Sequence, residues 1–249
     1  MSVKVIVLVK HAVDPESELS IAEDGKSLKE AGLVYDINDW DRYAVEEAIR
    51  IKENRGGEVV VVGVGTNCDD TLRKCLAMGA DRAIKIPVET GLDAYQTAEV
   101  IKEAIKDEKF DLILAGFMSQ DLNNTLVGVL LASMLDIPYA TAVTSVNIEN
   151  GTVKVTRELE GGYSEEVELK MPCLLTVQSG INEPRYVSIM GIKRARTKEM
   201  KEVKVTPTVS TVELEKIYVP PVKKAEIITG DPSQVADKII EILKDRGLI

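Results

Sequence analysis

One histidine and three cysteines in 249 residues leave little material for acid–base or metal chemistry. His11 stands alone, so the arrangements of most hydrolases lack a second member. A lone histidine beside a strand end is expected to be structural or solvent-facing. Cys68, Cys75 and Cys173 form no CxxC pair, and an odd count without metal spacing argues against a disulfide scaffold or a zinc site. They are expected to be small buried or half-buried residues. The sequence has no P-loop, no HExxH and no GxSxG. No apolar run reaches the ~18 residues a membrane helix needs. In place of a charged secretory leader, the chain opens on the apolar run Val5-Ile6-Val7-Leu8-Val9, and a cytoplasmic protein is expected. Internal repeats and low-complexity tracts are also missing.

What is present suits one large α/β domain with an arm. Hydrophobic residues make up 45% of the chain, enough for a substantial core. The formal charge of −10 repels a phosphate backbone, which argues against nucleic-acid binding. The basic stretch from Lys193 and Arg194 through Arg196 and Lys198 to Lys201 and Lys204 has no interleaved aromatics, so it reads as a solvated or protein-docking face.

Short, β-branched and nearly continuous apolar runs at 3–9, 59–64, 83–86 and 111–115 predict strands covered on both faces. Helices are predicted between them at 40–54, 69–78, 93–106 and 122–135. The first has Asp39 as N-cap, Ala44, Val45, Ala48, Ile49 and Ile51 inward, and Glu46, Glu47, Arg50 and Lys52 outward. The last is almost wholly apolar after Asn124 and is expected to be buried on most sides. This βαβα order predicts a doubly wound, mostly parallel sheet. Strands at 141–148, 152–159 and 164–170, the last two joined at Gly161-Gly162, predict an antiparallel extension, and 173–177 a further buried strand. From about 200 to 230 prolines break any period, predicting an extended arm. Asp231-Pro232 then starts a final amphipathic helix with Val235, Ile239, Ile242 and Leu243 on one face. The expected division is 1–200 for the α/β domain with its antiparallel hairpin extension and 201–249 for the arm and terminal helix.

Open α/β sheets bind ligands beyond the carboxyl ends of their strands, near helix N-termini. Four segments qualify. The first strand ends in Leu8, Val9 and Lys10. The first helix opens at Asn38, Asp39, Trp40 and Asp41. Strand 59–64 ends in Gly63, Val64, Gly65 and Thr66, where Cys68 spoils a dinucleotide fingerprint and a tight turn is the plainer reading. Strand 111–115 ends in Gly116, then Met118, Ser119, Gln120 and Asp121, with Asn123, Asn124, Thr125 and Gly128 opening the next helix; ordinary capping by Asp121 and Asn123 is the alternative there. Together they offer hydroxyls, carboxamides and backbone N–H groups to a nucleotide.

The stretch from Val155 carries Arg157, then Glu160 before Gly161 and Gly162, then Glu165, Val167, Pro172 and Leu174-Leu175-Thr176. This spacing resembles the signature of electron-transfer flavoprotein beta subunits. Tyr43 to Glu53 resembles that family's first long helix, Ala77 to Arg82 the segment entering its third strand, and Asn182 to Tyr186 its link after the signature. The resemblance spans roughly residues 3–200. It implies an adenine-nucleotide α-hydrolase-like fold and a heterodimer with an alpha subunit that holds most of an FAD. It also implies a buried nucleotide in this chain, either AMP or a second, bifurcating FAD reduced by NADH. Redox partners would be dehydrogenases or quinone reductases, and the protein would position flavin without catalytic residues of its own. The partner-recognition loop would contain Ile189, Met190, Lys193 and Arg194, with Ile189 as apolar anchor; internal packing of Ile189 is the alternative. The sequence departs from the family at Asn38-Asp39-Trp40-Asp41, where Asn-Pro-aromatic is common, and at Asp121-Leu122-Asn123-Asn124, where acids are common. These departures leave the choice of nucleotide open. The rival reading is a stand-alone adenine-nucleotide sensor or hydrolase, which would want a Ser-Gly-Gly-rich loop after the first strand, where Lys10-His11-Ala12-Val13-Asp14 stands.

Overall fold

The computed structural model describes residues 2–89, 91–210, 212–221, 225 and 227–249. The strands are β1 (Val3–Val9), β2 (His11–Val13), β3 (Tyr35–Ile37), β4 (Gly57–Val64), β5 (Arg82–Ile86), β6 (Leu112–Gly116), β7 (Tyr139–Glu149), β8 (Thr152–Glu158), β9 (Ser164–Lys170), β10 (Cys173–Val177) and β11 (Met200–Glu202). The helices are α1 (Asp39–Arg55), α2 (Asp69–Met78), α3 (Ala94–Ala104), α4 (Val127–Leu135), α5 (Ile189–Ala195) and α6 (Pro232–Asp245).

Nine strands form the main sheet in the order β11-β5-β4-β1-β6-β10-β7-β8-β9, while β2 and β3 make a separate antiparallel ribbon. Pairing is parallel from β11 through β7 and antiparallel only for β8 and β9. The run in β1 is continuous because both faces are covered: Val5, Val7 and Val9 pack under α1 and α2, Ile6 and Leu8 under α3 and α4. Each such side chain contributes about 1.5–3 kcal/mol by leaving water. The chain runs from β1 to β4 and β5 on one side, then crosses back to β6 on the other. The topological switch point therefore lies between β1 and β6.

The β8–β9 hairpin explains the spacing of the signature. Arg157 pairs in register with Glu165, and their side chains meet at 3.2 Å. The Arg157 guanidinium also donates to the carbonyl and hydroxyl oxygens of Thr141 on β7. Gly161, at φ 76°, turns the chain between the two strands.

Several expectations are corrected. Asn38, not Asp39, precedes α1, and its side chain makes no cap. Glu46 points inward and is 2% exposed, because the segment 182–186 lies over α1. There Arg185 donates to Glu46 and Glu53, and Asn182 donates to the Tyr43 carbonyl and to Glu47. α4 starts only at Val127 and buries Gly128, Leu131 and Ala132, leaving its other face partly open. The arm begins as a ninth strand: β11 adds to β5, Gln96 donates to the Thr208 carbonyl, and Ser210 donates to Asp93. Further on, the Ile217 N–H meets the Gly25 carbonyl. Positions 211, 222–224 and 226 of the expected arm lie outside the described residues. α6 is capped by Asp231 and Gln234, and none of its residues is buried.

Candidate functional site

At the switch point, the ends of β1 and β6 and the first turn of α1 are tied together. The Asp41 carboxylate accepts the Lys10 N–H at 2.8 Å with one oxygen and the Gly116 N–H at 2.9 Å with the other. No side chain fits at Gly116, because a Cβ there would lie 2.3 Å from the Asp41 carboxylate and 2.7 Å from the Trp40 Cβ. Asp41 is 6% exposed, and this burial raises its carboxyl to about 7 against the opposing pull of those N–H groups, Asn38 and Lys10.

Asn38 forms a second tie. Its N–H donates to the Lys10 carbonyl, its amide donates to the Met118 carbonyl at 2.9 Å, and its side-chain oxygen accepts the Gln120 N–H at 3.0 Å. Gln120 accepts the Asp39 N–H and donates to the Val13 carbonyl on β2. Across the mouth, Lys10 Nζ meets Asp121 at 2.7 Å and Ser119 Oγ at 3.3 Å. Burial opposes ionisation of Asp121, but Lys10 and Ser119 hold its carboxyl below the usual range.

The remaining expected residues lie around this centre. Leu8 and Val9 are buried and offer backbone only. Val9 pairs with Gly63, which sets Gly63, Val64, Gly65 and Thr66 one strand away from the crevice along the same sheet edge. Asn123, Asn124 and Thr125 lie between Asp121 and the start of α4. Asn123 and Thr125 both have φ 52°, a left-handed backbone that asparagine adopts more readily than other non-glycine residues and that is strained for a β-branched residue. Gly128 is buried against β10, where a Cβ would come 2.8 Å from Thr176; its smallness serves helix–sheet packing. Ile189, Met190, Lys193 and Arg194 form an exposed group well away in sequence from these loops, with Ile189 at 83% exposure.

Two partners went unforeseen. Gln178, just past β10, accepts the Trp40 indole N–H at 2.8 Å; the strand-end rule applied to 173–177 would have found it. Thr71 on α2 bonds His11 Nδ1 at 2.8 Å, and the imidazole stacks on Tyr35. His11 is thereby held in place, and burial lowers its basicity. Beside the crevice, Asp39, Trp40, Arg42, Tyr43, Ser179 and Pro184 line an open hollow of about 350 Å³. All three cysteines are free and buried, and burial pushes the thiols up, Cys68 to about 11 and Cys173 to about 12. Among the described residues no helix is long and apolar enough to cross a membrane.

Fold and site thus define a doubly wound α/β protein with a polar crevice at its switch point. Residues 26–208 match the electron transfer flavoprotein domain. The electron transfer flavoprotein subunit beta of Methylophilus methylotrophus is 39% identical over 97% of this chain and 98% of its own length. That of Bacillus subtilis is 35% identical over 98% of each chain, and that of Homo sapiens 32% over 96% of this chain and 97% of its own. The chain belongs to the electron-transfer flavoprotein beta-subunit family.

Proposed function

We propose that this chain is the beta subunit of a heterodimeric electron carrier and that its switch-point crevice holds an adenine nucleotide, AMP or a second FAD. The observation that carries this reading is the knot of Lys10, Asn38, Asp41, Gly116 and Gln120 joining three chain segments at the switch point. The donor set around it fits a nucleotide. Thr66, Ser119 and Thr125 supply hydroxyls, Asn123 and Asn124 supply carboxamides, and Lys10 supplies an ammonium. The strained backbone at Thr125 is the kind of feature that functional loops retain.

The chain would act by positioning. The redox flavin, FAD shared with the alpha subunit, supplies the electron chemistry when bound, and the protein supplies binding and electrostatics. The alpha subunit would cover the arm, whose terminal helix buries none of its own residues. Exposed Ile189 and Met190, followed by Lys193 and Arg194, suit docking to a dehydrogenase or quinone-reductase partner with an apolar pocket and an acidic rim. Co-expression with the alpha subunit, denaturation and chromatography of the released nucleotides tests the reading. One FAD with one AMP per heterodimer indicates a simple carrier; two FAD indicate a bifurcating one. A purified heterodimer that releases no nucleotide refutes the reading.

A further inference from the structure

The ion pair across the crevice assigns a role to two residues of the proposed nucleotide site, and the inference rests on that reading. The segments 8–10, 38–41, 63–66 and 116–128 contain one basic residue, Lys10, and three acids, Asp39, Asp41 and Asp121. An anionic ligand therefore has a single cation to meet in these segments. Two of the acids already have other partners. Asp41 is spent on the Lys10 and Gly116 N–H groups. Asp39 is exposed and lies 3.6 Å from Arg42 on its own helix. Of the three, Asp121 is the one bonded to the Lys10 ammonium, 2.7 Å away, with Ser119 as the second partner.

We propose that Asp121 is an internal stand-in for phosphate: it neutralises Lys10 in the nucleotide-free chain and is displaced when a nucleotide phosphate takes the ammonium. The asymmetry of the pair sets which partner moves. Lys10 follows directly on β1, and its backbone N–H and carbonyl are both bonded, to Asp41 and Asn38. Asp121 sits on a loop at the crevice mouth, between Ser119 and the left-handed Asn123. A phosphate is the better partner because it brings more charge and more acceptor oxygens than one carboxylate. Asp121 thus lowers affinity for the phosphate while keeping a half-buried cation paired in its absence, a competition that works against anions and not against the adenosine part of the ligand.

Equilibrium dialysis of the nucleotide-depleted heterodimer against labelled AMP, and separately against adenosine, tests this. Lys10→Met is expected to weaken AMP binding by about tenfold or more, the scale of a lost charge-assisted bond, and adenosine binding by less than about threefold. Lys10→Arg keeps the charge and is expected to restore most of the AMP affinity, which guards against a merely misfolded methionine variant. Asp121→Asn is expected to tighten AMP severalfold without changing adenosine, and to lose that gain when combined with Lys10→Met. Equal losses of AMP and adenosine in Lys10→Met, or weaker AMP binding in Asp121→Asn, would overturn the proposal while leaving the crevice as a nucleotide site. If the unmodified heterodimer binds neither of these compounds nor FAD there, the crevice reading fails and this proposal fails with it.

Discussion

Val5, Ile6 and Val7 in β1 and Ile189, Met190 and Ile192 after the link segment are comparably apolar, yet the first three are sealed and the last three face water. The sheet's core is complete within one chain: every side chain of β10 is buried, and helices cover both faces of β1. The chain after β10 is built differently. Ile239 and Ile240 of α6 stay about half exposed, and Ile189 and Tyr186 are more than four-fifths exposed. Contiguous exposed apolar groups of this kind mark surfaces meant for another molecule. One part of the sequence thus closes a fold on itself, and the other keeps apolar side chains in water, as the proposed docking surfaces require.

Substitutions should separate the two parts. The largest effect is expected inside the sheet, where Leu114→Ala removes a fully buried side chain and should cost about 2–5 kcal/mol in denaturant unfolding. A loss below about 1 kcal/mol would mean that the core is looser than described. Gly116→Ala comes next, at about 1–3 kcal/mol, since the new methyl collides with Asp41 and Trp40. It should also loosen nucleotide retention in the heterodimer, which a dialysis half-time would show.

Asp41 should give a smaller, pH-dependent effect. Its carboxyl is raised to about 7 in the fold from 3.8, so between those values the folded chain holds a proton that the unfolded chain has released. Asp41's contribution to stability is therefore fully present below the unfolded value, falls as pH rises through this window and is level above it. Asp41→Asn should flatten that part of the unfolding free energy plotted against pH; an unchanged slope would place the titration elsewhere. The smallest effect belongs to the arm. Ile239→Ser should change the stability of the isolated chain by no more than about 0.5 kcal/mol, yet weaken its association with the alpha subunit in analytical ultracentrifugation. A large loss in the isolated chain would show that α6 is covered by its own body.

The same contrast explains what the sequence disclosed. Central strands such as 3–9 and 173–177 were legible to the residue, because burial on both faces leaves an unbroken apolar run. The short strands 11–13 and 35–37 carry too few residues for a period to show. Glu46 was expected outside because its helix face looks polar, and nothing near it in sequence announces that Arg185 will cover it. The α5 segment Ile189-Met190-Gly191-Ile192 shows neither helical period nor strand alternation, so it went unseen. At the site, the strand-end rule located the loops and their glycines. It could not show that Asn38 and Asp41 turn inward to bind backbone N–H and carbonyl groups of Lys10 and of residues 116–120, because those partners lie about thirty to eighty residues away.

A crystal structure of the heterodimer with its native nucleotide would show whether the crevice holds it. The account predicts adenosine phosphate density between the ends of β1 and β6, with the Lys10 ammonium on the phosphate and Asp121 turned away. Nucleotide density elsewhere, with the Lys10–Asp121 pair intact across the crevice, would contradict it.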